Sequence, residues 1–220
     1  LSPALFSELN QIVTELSKQT DSVGCVILRG AGRCFSAGND LKAVRSGVKA
    51  KEKFFQAKTI DLVEKLPQPT IASVHGHCLT GALELALACD LMITSESANL
   101  ADTHGKWGMV PGWGMSVRLP RRVGLLKAKE MMFTGMSING LQAVEIGLSS
   151  QCVADDHLKV STLDLAESIV KNSWHTNFAD KKLFLDNENH FHDASLKMER
   201  EQSASVASDM HERVKQGFKS

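Results

Sequence analysis

Glu84 is the residue of this sequence whose surroundings most clearly indicate chemistry. It is the one charged residue in the run from Ala82 to Cys89, in which every other residue is Ala, Leu or Cys. A run of this composition predicts a helix that is buried on several sides. Burying a carboxylate in such a helix costs free energy unless the group is paired, protonated or in use. Glu84 is therefore a candidate general base.

Gly81 lies three residues before Glu84, so its backbone N–H and the carboxylate emerge from one side of the start of the helix. This N–H is one of the first-turn amides without an intrahelical acceptor, and the helix dipole favours an anion beside it. The spacing therefore predicts an amide that stabilises an oxyanion next to a candidate base. The alternative is structural: Glu84 pairs with an Arg or Lys elsewhere in the chain, and Gly76 and Gly81 only form the turn.

The residues before this helix predict a strand and a loop. The run from Thr70 to Val74 is apolar and partly β-branched, which is typical of a buried strand, and the loop after it holds Gly76 and Gly81. The same order of strand, glycine loop and helix occurs earlier in the chain. There, 23–28 is a continuous apolar run that predicts a strand buried on both faces, and 30–41 is a glycine-bearing loop. Repetition of this unit predicts a layered α/β fold.

The rest of the chain is mostly helical in its pattern. Residues 3–18 place apolar side chains at helical spacing, after Ser2 as N-cap and Pro3 at the first helical position. A long glycine-spaced segment, 95–119, carries Asp102 and His104, and long irregular segments are usually functional. The further predicted elements are a helix that ends before Pro67, a strand at 91–94, helices at 123–133 and 141–146, a strand at 149–153, and helical structure from 158 that ends in 210–218.

The composition indicates a soluble globular protein and excludes two classes of function. Lys+Arg and Asp+Glu balance at 25 each, so nothing indicates a protein that binds nucleic acid or a membrane surface. The five scattered cysteines are typical of buried thiols in a reducing compartment. We therefore expect an intracellular protein, cytoplasmic if bacterial and mitochondrial or peroxisomal if eukaryotic. Because the sequence begins at Leu1 rather than Met, we also expect that an upstream segment is missing.

The glycine loops do not complete other common motifs. A dinucleotide fingerprint begins at Gly30, but Phe35 stands where its third glycine belongs. A nucleophile elbow around Ser36 would need a glycine at position 34. His75 and His77 have the spacing of some metal sites, but no local carboxylate completes a set of ligands. We therefore predict loop hydrogen bonds for these histidines and no metal site.

Several longer motifs, in matching order and spacing, make the whole chain resemble the enoyl-CoA hydratase/isomerase family, which is also called the crotonase family. These motifs are CFSAGNDL at 34–41, PTIASVHG at 69–76, GALELALACD at 81–90, GMVPGWG at 108–114, FTG at 133–135 and AVEIGL at 143–148. The combination is specific for a fold and less specific for a reaction, because function depends on the site rather than on the scaffold.

The resemblance implies a crotonase-like α/β fold, a spiral of ββα repeats, with a C-terminal helical region that forms trimers. We expect residues 1–157 to form the spiral core, without its N-terminal strands, and residues 158–220 to form the helical region. The expected assembly is a homotrimer or a dimer of trimers. The expected ligand is an acyl-CoA thioester. Coenzyme A is then part of the substrate, and no separate cofactor is expected.

The resemblance also implies where the thioester would bind. Its oxygen would lie between two backbone amides, which correspond here to those of Asn39 and Gly81. Paired donors of this kind stabilise the enolate that forms when the thioester is attacked at its β-carbon, and losing one donor typically costs about 2.7–4 kcal/mol. The loop at 37–41 would hold the adenine end of CoA. The residues expected to contact CoA are Ala37, Asn39, Asp40, Leu41 and either Lys42 or Arg45.

Family hydratases use two glutamates. One corresponds to Glu84 and activates the water; the other lies four residues before the glycine that opens the GMVPGWG segment, where this sequence has His104. The resemblance implies addition of water to a 2-enoyl-CoA, with Glu84 as base and His104 as acid, because a histidine titrates near neutral pH. Gly112 would supply a backbone amide near the water.

Because His104 replaces the second carboxylate, two other hypotheses stay open. The first is another reaction through the same enolate: isomerisation, decarboxylation or thioester hydrolysis. Family isomerases keep a carboxylate at the position of His104 and lose the one at Glu84, so an isomerase ranks below a hydratase. The second is a non-catalytic acyl-CoA-binding protein, for which the oxyanion loop and Glu84 would be unneeded.

Overall fold

The computed structural model of the protein describes residues 1–45, 52–203 and 215. This part of the chain contains seven β-strands, nine α-helices and two short 3-10 turns. The predicted terminal helical stretch, 210–218, lies outside the described residues except for Lys215. The arrangement is an α/β fold, as the repeated unit of strand, glycine loop and helix predicts.

The elements have the following bounds. The strands are β1 (Val26–Arg29), β2 (Thr70–Val74), β3 (His77–Leu79), β4 (Leu91–Ser95), β5 (Asn99–Ala101), β6 (Ser137–Asn139) and β7 (Gln151–Val153). The α-helices are α1 (Pro3–Leu16), α2 (Leu41–Arg45), α3 (Phe55–Glu64), α4 (Gly81–Leu87), α5 (Met115–Val123), α6 (Leu125–Thr134), α7 (Gly140–Glu145), α8 (Leu158–Val170) and α9 (Trp174–Ser203). The 3-10 turns are His104–Trp107 and Asp155–His157.

Two sheets form the β-structure. The larger is parallel, in the order β1-β2-β4-β7, with Ile71 of β2 opposite Ile27 on one side and Leu91 on the other. In the smaller sheet, β3-β5-β6, the first pair is parallel and the second antiparallel. Ser36 in the first glycine loop forms a parallel bridge with Cys78 of β3. The chain therefore passes from the larger sheet to the smaller and then into a helix, and it repeats this path as a spiral.

Helix α1 forms where the sequence predicts it. The side chain of Ser2 accepts the N–H of Leu5 at 3.2 Å, and Pro3 occupies the first helical position, where its missing N–H costs nothing. Phe6 and Val13 face the core and are buried. The helix ends at Leu16, two residues before the predicted end at position 18.

The predicted burial of the first strand is wrong. The run at 23–28 predicts a strand buried on both faces, but β1 begins only at Val26, and Val26, Ile27 and Leu28 are half-buried. The reason is its place in the sheet. Among the described strands, β1 pairs only with β2 and so forms the edge of the larger sheet.

The sequence patterns also miss three strands. β3 lies in the stretch expected to be a loop between β2 and α4, and β5 lies in the segment at 95–119 that was expected to be irregular. The third, β6, lies between α6 and α7. Each has three residues, which is too short to show an alternating pattern. Pairing with strands distant in sequence is what fixes them.

The core is organised around α4, whose seven residues are all buried, as predicted. On one face of the larger sheet, Ala72, Val74 and Met92 join the hydrophobic cluster that contains α4. On the other face, Ile71 and Ile93 pack with Leu158 at the start of α8. The larger sheet is therefore covered on both faces, which is the usual state of a parallel sheet.

The C-terminal helices attach to this core through polar contacts as well. Thr162 of α8 shares a hydrogen bond of 2.9 Å with Ser73 of β2. Lys181 of α9 is 6% exposed, and its Nζ donates to Asp90 Oδ2 at 2.7 Å and to the carbonyl oxygen of Gln68 at 3.0 Å. The division into a core and a helical region at residue 158 stays a prediction. Among the helices of the described residues, none combines the length and apolar composition that a transmembrane span requires.

Candidate active site

The two glycine loops of the sequence meet at the start of α4. Gly38 has a φ of +99°, and a Cβ placed on it would lie 2.8 Å from the carbonyl oxygen of Leu79 and 3.8 Å from the nitrogen of Gly81. The N–H of Leu79 donates to the carbonyl oxygen of Ser36 at 3.2 Å. The structure thus places the loop of Asn39 beside Gly81. That the amides of these two residues hold a thioester oxygen stays a prediction.

Gly81 lies directly against the indole of Trp113. A Cβ on Gly81 would be 2.4 Å from Cζ3 of Trp113, so this position has no room for a side chain. Phe6 of α1 packs against the same indole at a ring-centroid distance of 5.0 Å and an interplanar angle of 72°. Trp113 is half-buried and forms one wall beside the Gly81 amide.

Glu84 is 1% exposed and is held by backbone amides. Its Oε1 accepts the N–H of Trp113 at 2.8 Å and the N–H of Met115 at 3.1 Å. Both amides belong to the turn that leads into α5. Hydrogen bonds of this kind stabilise a carboxylate and fix its orientation. The other oxygen, Oε2, lies 3.7 Å from Nε2 of His104.

His104 is oriented by Asp102. Its Nδ1 lies 2.6 Å from Asp102 Oδ1, and its backbone N–H donates to the same oxygen at 3.1 Å. Asp102 is 1% exposed and His104 is 8% exposed, so the pair is shielded from water. Because an ionised carboxylate only accepts hydrogen bonds, the short contact assigns a proton to Nδ1 and turns Nε2 toward Glu84.

At 3.7 Å, Nε2 of His104 and Oε2 of Glu84 are beyond direct hydrogen-bond distance, so each atom can also contact a third group. A buried pair of this kind is suited to giving and taking protons.

The other predicted site residues lie along the first glycine loop and the turn before α5. Asp40 caps the short helix α2, because its Oδ1 accepts the N–H of Lys42 at 2.9 Å and that of Ala43 at 3.3 Å. Ala37 and the Lys42 side chain are exposed. The remaining members of the predicted set, Asn39, Leu41 and Gly112, are half-buried. Contact of these residues with CoA stays a prediction.

His75 and His77 do not come to this cluster. The ring Nε2 of His75 lies 2.9 Å from the carbonyl oxygen of Gly32, which is a loop hydrogen bond of the predicted kind. His77 is the first residue of β3 and its side chain is exposed.

Two residues of the cluster were not in the predicted site. Asp102 belongs to none of the quoted motifs; its spacing of two residues from His104 is the available signal, but contact at that spacing depends on the local backbone. Trp113 acts through its N–H, and the PGWG turn was the available signal for exposed amides.

A cavity of about 520 Å³ lies elsewhere, between the C-terminal end of α4 and helices α5, α8 and α9. It shares no lining residue with the Glu84–His104 pair. Its basic groups already have partners, since Lys181 binds Asp90 and Arg122 donates to the carbonyl oxygen of Cys89. This cavity is therefore separate from the Glu84–His104 pair.

A spiral α/β core that holds a buried carboxylate beside two touching glycine loops defines a crotonase-like protein. The family-wide sequence profile described as enoyl-CoA hydratase/isomerase matches residues 1–220. The chain belongs to the enoyl-CoA hydratase/isomerase family, which the motifs at 34–41, 69–90 and 108–114 indicate.

Curated relatives support this assignment. The chain is 33% identical over 172 residues to a probable peroxisomal enoyl-CoA hydratase of Arabidopsis thaliana, which covers 78% of this chain and 64% of that protein. It is 33% identical over 205 residues to a probable enoyl-CoA hydratase of Bacillus subtilis, with coverage of 90% and 79%. The chain thus spans less than two thirds of the Arabidopsis protein's length.

Solved structures show the same fold. An enoyl-CoA hydratase from Mycobacterium avium matches with a TM-score of 0.80 and 33% identity, over 93% of this chain and 85% of that one. An enoyl-CoA hydratase from Bacillus anthracis matches with a TM-score of 0.79 and 34% identity, over 99% of this chain and 82% of that one. The predicted crotonase-like fold is therefore confirmed.

Proposed function

We propose that this protein adds water across the double bond of a 2-enoyl-CoA thioester, or catalyses the reverse elimination. The observation that carries the proposal is the position of Glu84. Two amides hold its Oε1, while its Oε2 faces the oriented imidazole of His104 at 3.7 Å. Addition of water to one face of a double bond needs one group that takes a proton and a neighbouring group that gives one.

In the proposed reaction, Glu84 accepts a proton from a water molecule while the water oxygen forms a bond to the β-carbon. The electron pair of the double bond moves toward the thioester, whose oxygen becomes an oxyanion held by the N–H groups of Asn39 and Gly81. When this pair returns to the α-carbon, it takes a proton from Nε2 of His104. Asp102 keeps Nδ1 protonated throughout and stabilises the imidazolium. Proton transfer from Glu84 to His104 restores the starting state.

The CoA part of the substrate is proposed to lie along the loop from Ala37 to Lys42. The exposure of Ala37 and of the Lys42 side chain supports this, because a ligand can reach them. Gly112 is proposed to donate its amide near the reacting water. It directly precedes Trp113, whose own N–H already binds the candidate base.

The test is turnover of crotonyl-CoA, followed as loss of the enoyl absorbance, in the wild type and in the variants Glu84→Gln and His104→Ala. We expect Glu84→Gln to abolish hydration, because glutamine cannot accept the proton. We expect His104→Ala to slow it by about 10²- to 10⁴-fold, the usual contribution of a general acid. The matched controls Glu96→Gln and His77→Ala change exposed side chains and should keep the wild-type rate.

Two results would contradict the proposal. If the wild type did not hydrate crotonyl-CoA or longer 2-enoyl thioesters, the reaction would be wrong. If Glu84→Gln turned over at the wild-type rate, Glu84 would not be the base. Binding of acyl-CoA without turnover of any thioester would favour the non-catalytic alternative.

Thioester hydrolysis is a second candidate, and the contact between Asp102 and His104 favours it. A carboxylate at 2.6 Å from Nδ1 is the arrangement that prepares an imidazole to activate water or a nucleophile. Hydrolysis releases free CoA thiol, whereas hydration does not. A thiol reagent added to the crotonyl-CoA assay therefore separates the two reactions.

A homotrimer or a dimer of trimers is the proposed assembly. Two large apolar side chains on α6 support an association of copies: Leu126 is 84% exposed and Phe133 is 81% exposed. They are seven residues apart and so lie on one side of the helix. Light scattering on the purified protein tests the mass, and Phe133→Glu should lower it if this face is buried between copies.

A further inference from the structure

Thr80 has a backbone conformation that residues other than glycine rarely adopt. Its φ is 55° and its ψ is −113°, and among the described residues Phe54 is the other non-glycine residue at positive φ. Thr80 directly precedes Gly81, so its ψ sets the direction of the Gly81 N–H. Strain of this kind persists only where the surrounding structure enforces it, and it is concentrated at functional sites.

The hydroxyl of Thr80 replaces a missing backbone acceptor. The N–H of Thr80 continues the parallel pairing of β3 and β5 by donating to the carbonyl oxygen of Ala101 at 2.8 Å. In a parallel ladder, the next bond would run from the N–H of Thr103 to the carbonyl oxygen of Thr80. That carbonyl oxygen instead accepts the N–H of Glu84 at 3.0 Å, in the first turn of α4. The N–H of Thr103 donates to Oγ1 of Thr80 at 3.1 Å.

A second hydrogen bond joins the same two residues. Oγ1 of Thr80 contacts Oγ1 of Thr103, and a hydroxyl can donate one bond while it accepts another. Thr103 is 8% exposed and lies between Asp102 and His104. The start of α4, including Gly81, is thereby fixed to the segment that carries the oriented histidine.

We propose that Thr80 is a positioning residue that holds the Gly81 amide in register with the Asp102–His104 pair. The oxyanion donor and the proton donor then act on one acyl group. The proposal rests on the proposed function in the role that it gives to the Gly81 amide. Glycine would adopt the backbone conformation of position 80 without strain but has no hydroxyl. The bonds to Thr103 are therefore the physical reason for a threonine at this position.

The test measures polarisation of a bound thioester without turnover. Butyryl-CoA labelled with ¹³C at the thioester carbonyl has no double bond to hydrate, and its carbonyl stretching frequency in difference infrared spectra falls when amides donate to the oxygen. The wild type is compared with Thr80→Val, which keeps the branched shape, and with Thr80→Ser, which keeps the hydroxyl. Thr14→Val, on the exposed face of α1, is the matched control.

We expect a lowered carbonyl frequency in the wild type and in Thr14→Val. Thr80→Val should lose most of this shift, and Thr80→Ser should recover most of it. The kcat for crotonyl-CoA should fall by about 10- to 100-fold in Thr80→Val, in line with the cost of misplacing a reacting group by 1 Å. If Thr80→Val does not fold, Thr103→Val removes the partner hydroxyl without changing position 80, and it should show a smaller loss of the same sign.

An unchanged shift in folded Thr80→Val would overturn the proposal. A wild type without any shift would overturn it as well, because there would be no polarising amide to position. Hydration is measured separately. A wild type that polarises butyryl-CoA but does not hydrate crotonyl-CoA would contradict the proposed reaction while supporting the role of Thr80.

Discussion

Nη1 of Arg118 lies 2.6 Å from the carbonyl oxygen of Trp113, and the N–H of the same tryptophan donates to Glu84. Arg118 is 3% exposed and also forms two hydrogen bonds of 2.8 Å to the carboxylate of Glu64 and one of 2.9 Å to Asp61. A buried ion cluster between α3 and α5 thus fixes the residue that holds the candidate base.

Replacing Arg118 should strongly destabilise the protein. Arg118→Ala leaves Asp61 and Glu64 without this partner, and removal of one member of a buried ion pair typically costs about 3–5 kcal/mol. Urea unfolding measures the loss in free energy of unfolding. Lys127→Ala is the matched control, because Lys127 and its partner Glu130 are 35% and 47% exposed, and an exposed pair is worth under about 1 kcal/mol. Similar losses in both variants would contradict the role of the buried cluster.

Asp102→Asn should reduce turnover while leaving Glu84 and His104 in place. The amide oxygen of asparagine can still accept the Nδ1 proton and the backbone N–H of His104, which both reach Oδ1 of Asp102, but it carries no charge that stabilises an imidazolium. We expect hydration to slow by about 10²- to 10⁴-fold, as for the loss of an orienting aspartate in other enzymes. ¹⁵N NMR of the histidine ring reports its protonation, and the imidazolium should give way to imidazole at a lower pH in Asp102→Asn than in the wild type. Asp156→Asn, at an exposed position, is the control, and an unchanged titration in Asp102→Asn would refute the explanation.

Gly114→Ala should destabilise the protein more than Gly135→Ala. Both glycines lie in the left-handed region, with φ of +113° and +60°, so alanine is strained at either position. A Cβ on Gly114 would lie 2.0 Å from Nη1 of the buried Arg118, whereas the side-chain atom nearest to a Cβ on Gly135 is Cε of the exposed Lys106, at 2.7 Å. We expect the two losses to differ by about 1–3 kcal/mol in urea unfolding, because a buried side chain moves aside less easily than an exposed one. Equal losses would show that Arg118 moves aside without cost.

Alkaline pH should destabilise the fold through buried thiols. Burial raises the pKa of Cys89 from its ordinary 9.0 to about 12, and burial likewise raises the pKa of Cys78 well above its ordinary value. The native state therefore keeps protons that the unfolded chain releases. The stability that each protonated thiol contributes is fully present below about pH 9 and is lost as the pH rises toward the native pKa values. The free energy of unfolding should fall above pH 9 by up to about 1.4 kcal/mol per pH unit for each thiol.

Urea unfolding between pH 8 and pH 10.5 measures this slope. The control is the double variant Cys78→Ala, Cys89→Ala, in which the slope should be shallower although the stability at pH 8 is lower. The sequence contains no tyrosine, and the lysines titrate in both proteins. The difference in slope therefore belongs to the thiols, and equal slopes would contradict their assigned role.

The sequence predicts those parts of the site whose signals are local. The apolar run around Glu84 predicts the buried helix α4, and the spacing of Gly81 from Glu84 places both residues in its first turn. The strand β2 is visible as a continuous apolar run. Each of these features depends on residues within one helix or one strand, and there the pattern of apolar residues directly indicates which side chains are buried.

The parts that the sequence does not predict depend on how distant segments meet. The bond from Trp113 to Glu84 and the bonds from Arg118 to α3 join residues on different turns of the spiral. The positive φ of Thr80 is not predicted for another reason, because it is enforced by the pairing between β3 and β5. No local pattern contains these contacts, because they exist only after the turns have stacked.

The parallel register of the larger sheet also determines how the chain must fold. β1 pairs Val26 with Thr70, and β4 pairs Ile93 with Gln151, so each pair closes a long loop before its contacts form. Loop closure of this kind slows folding and leaves unpaired strand edges exposed while successive turns assemble. The candidate site takes Asn39, Glu84 and His104 from three successive turns. In refolding, the geometry of the candidate site is therefore complete only once the third turn has docked. Chains that are only partly folded expose strand edges that can aggregate, and they do not yet have the assembled site.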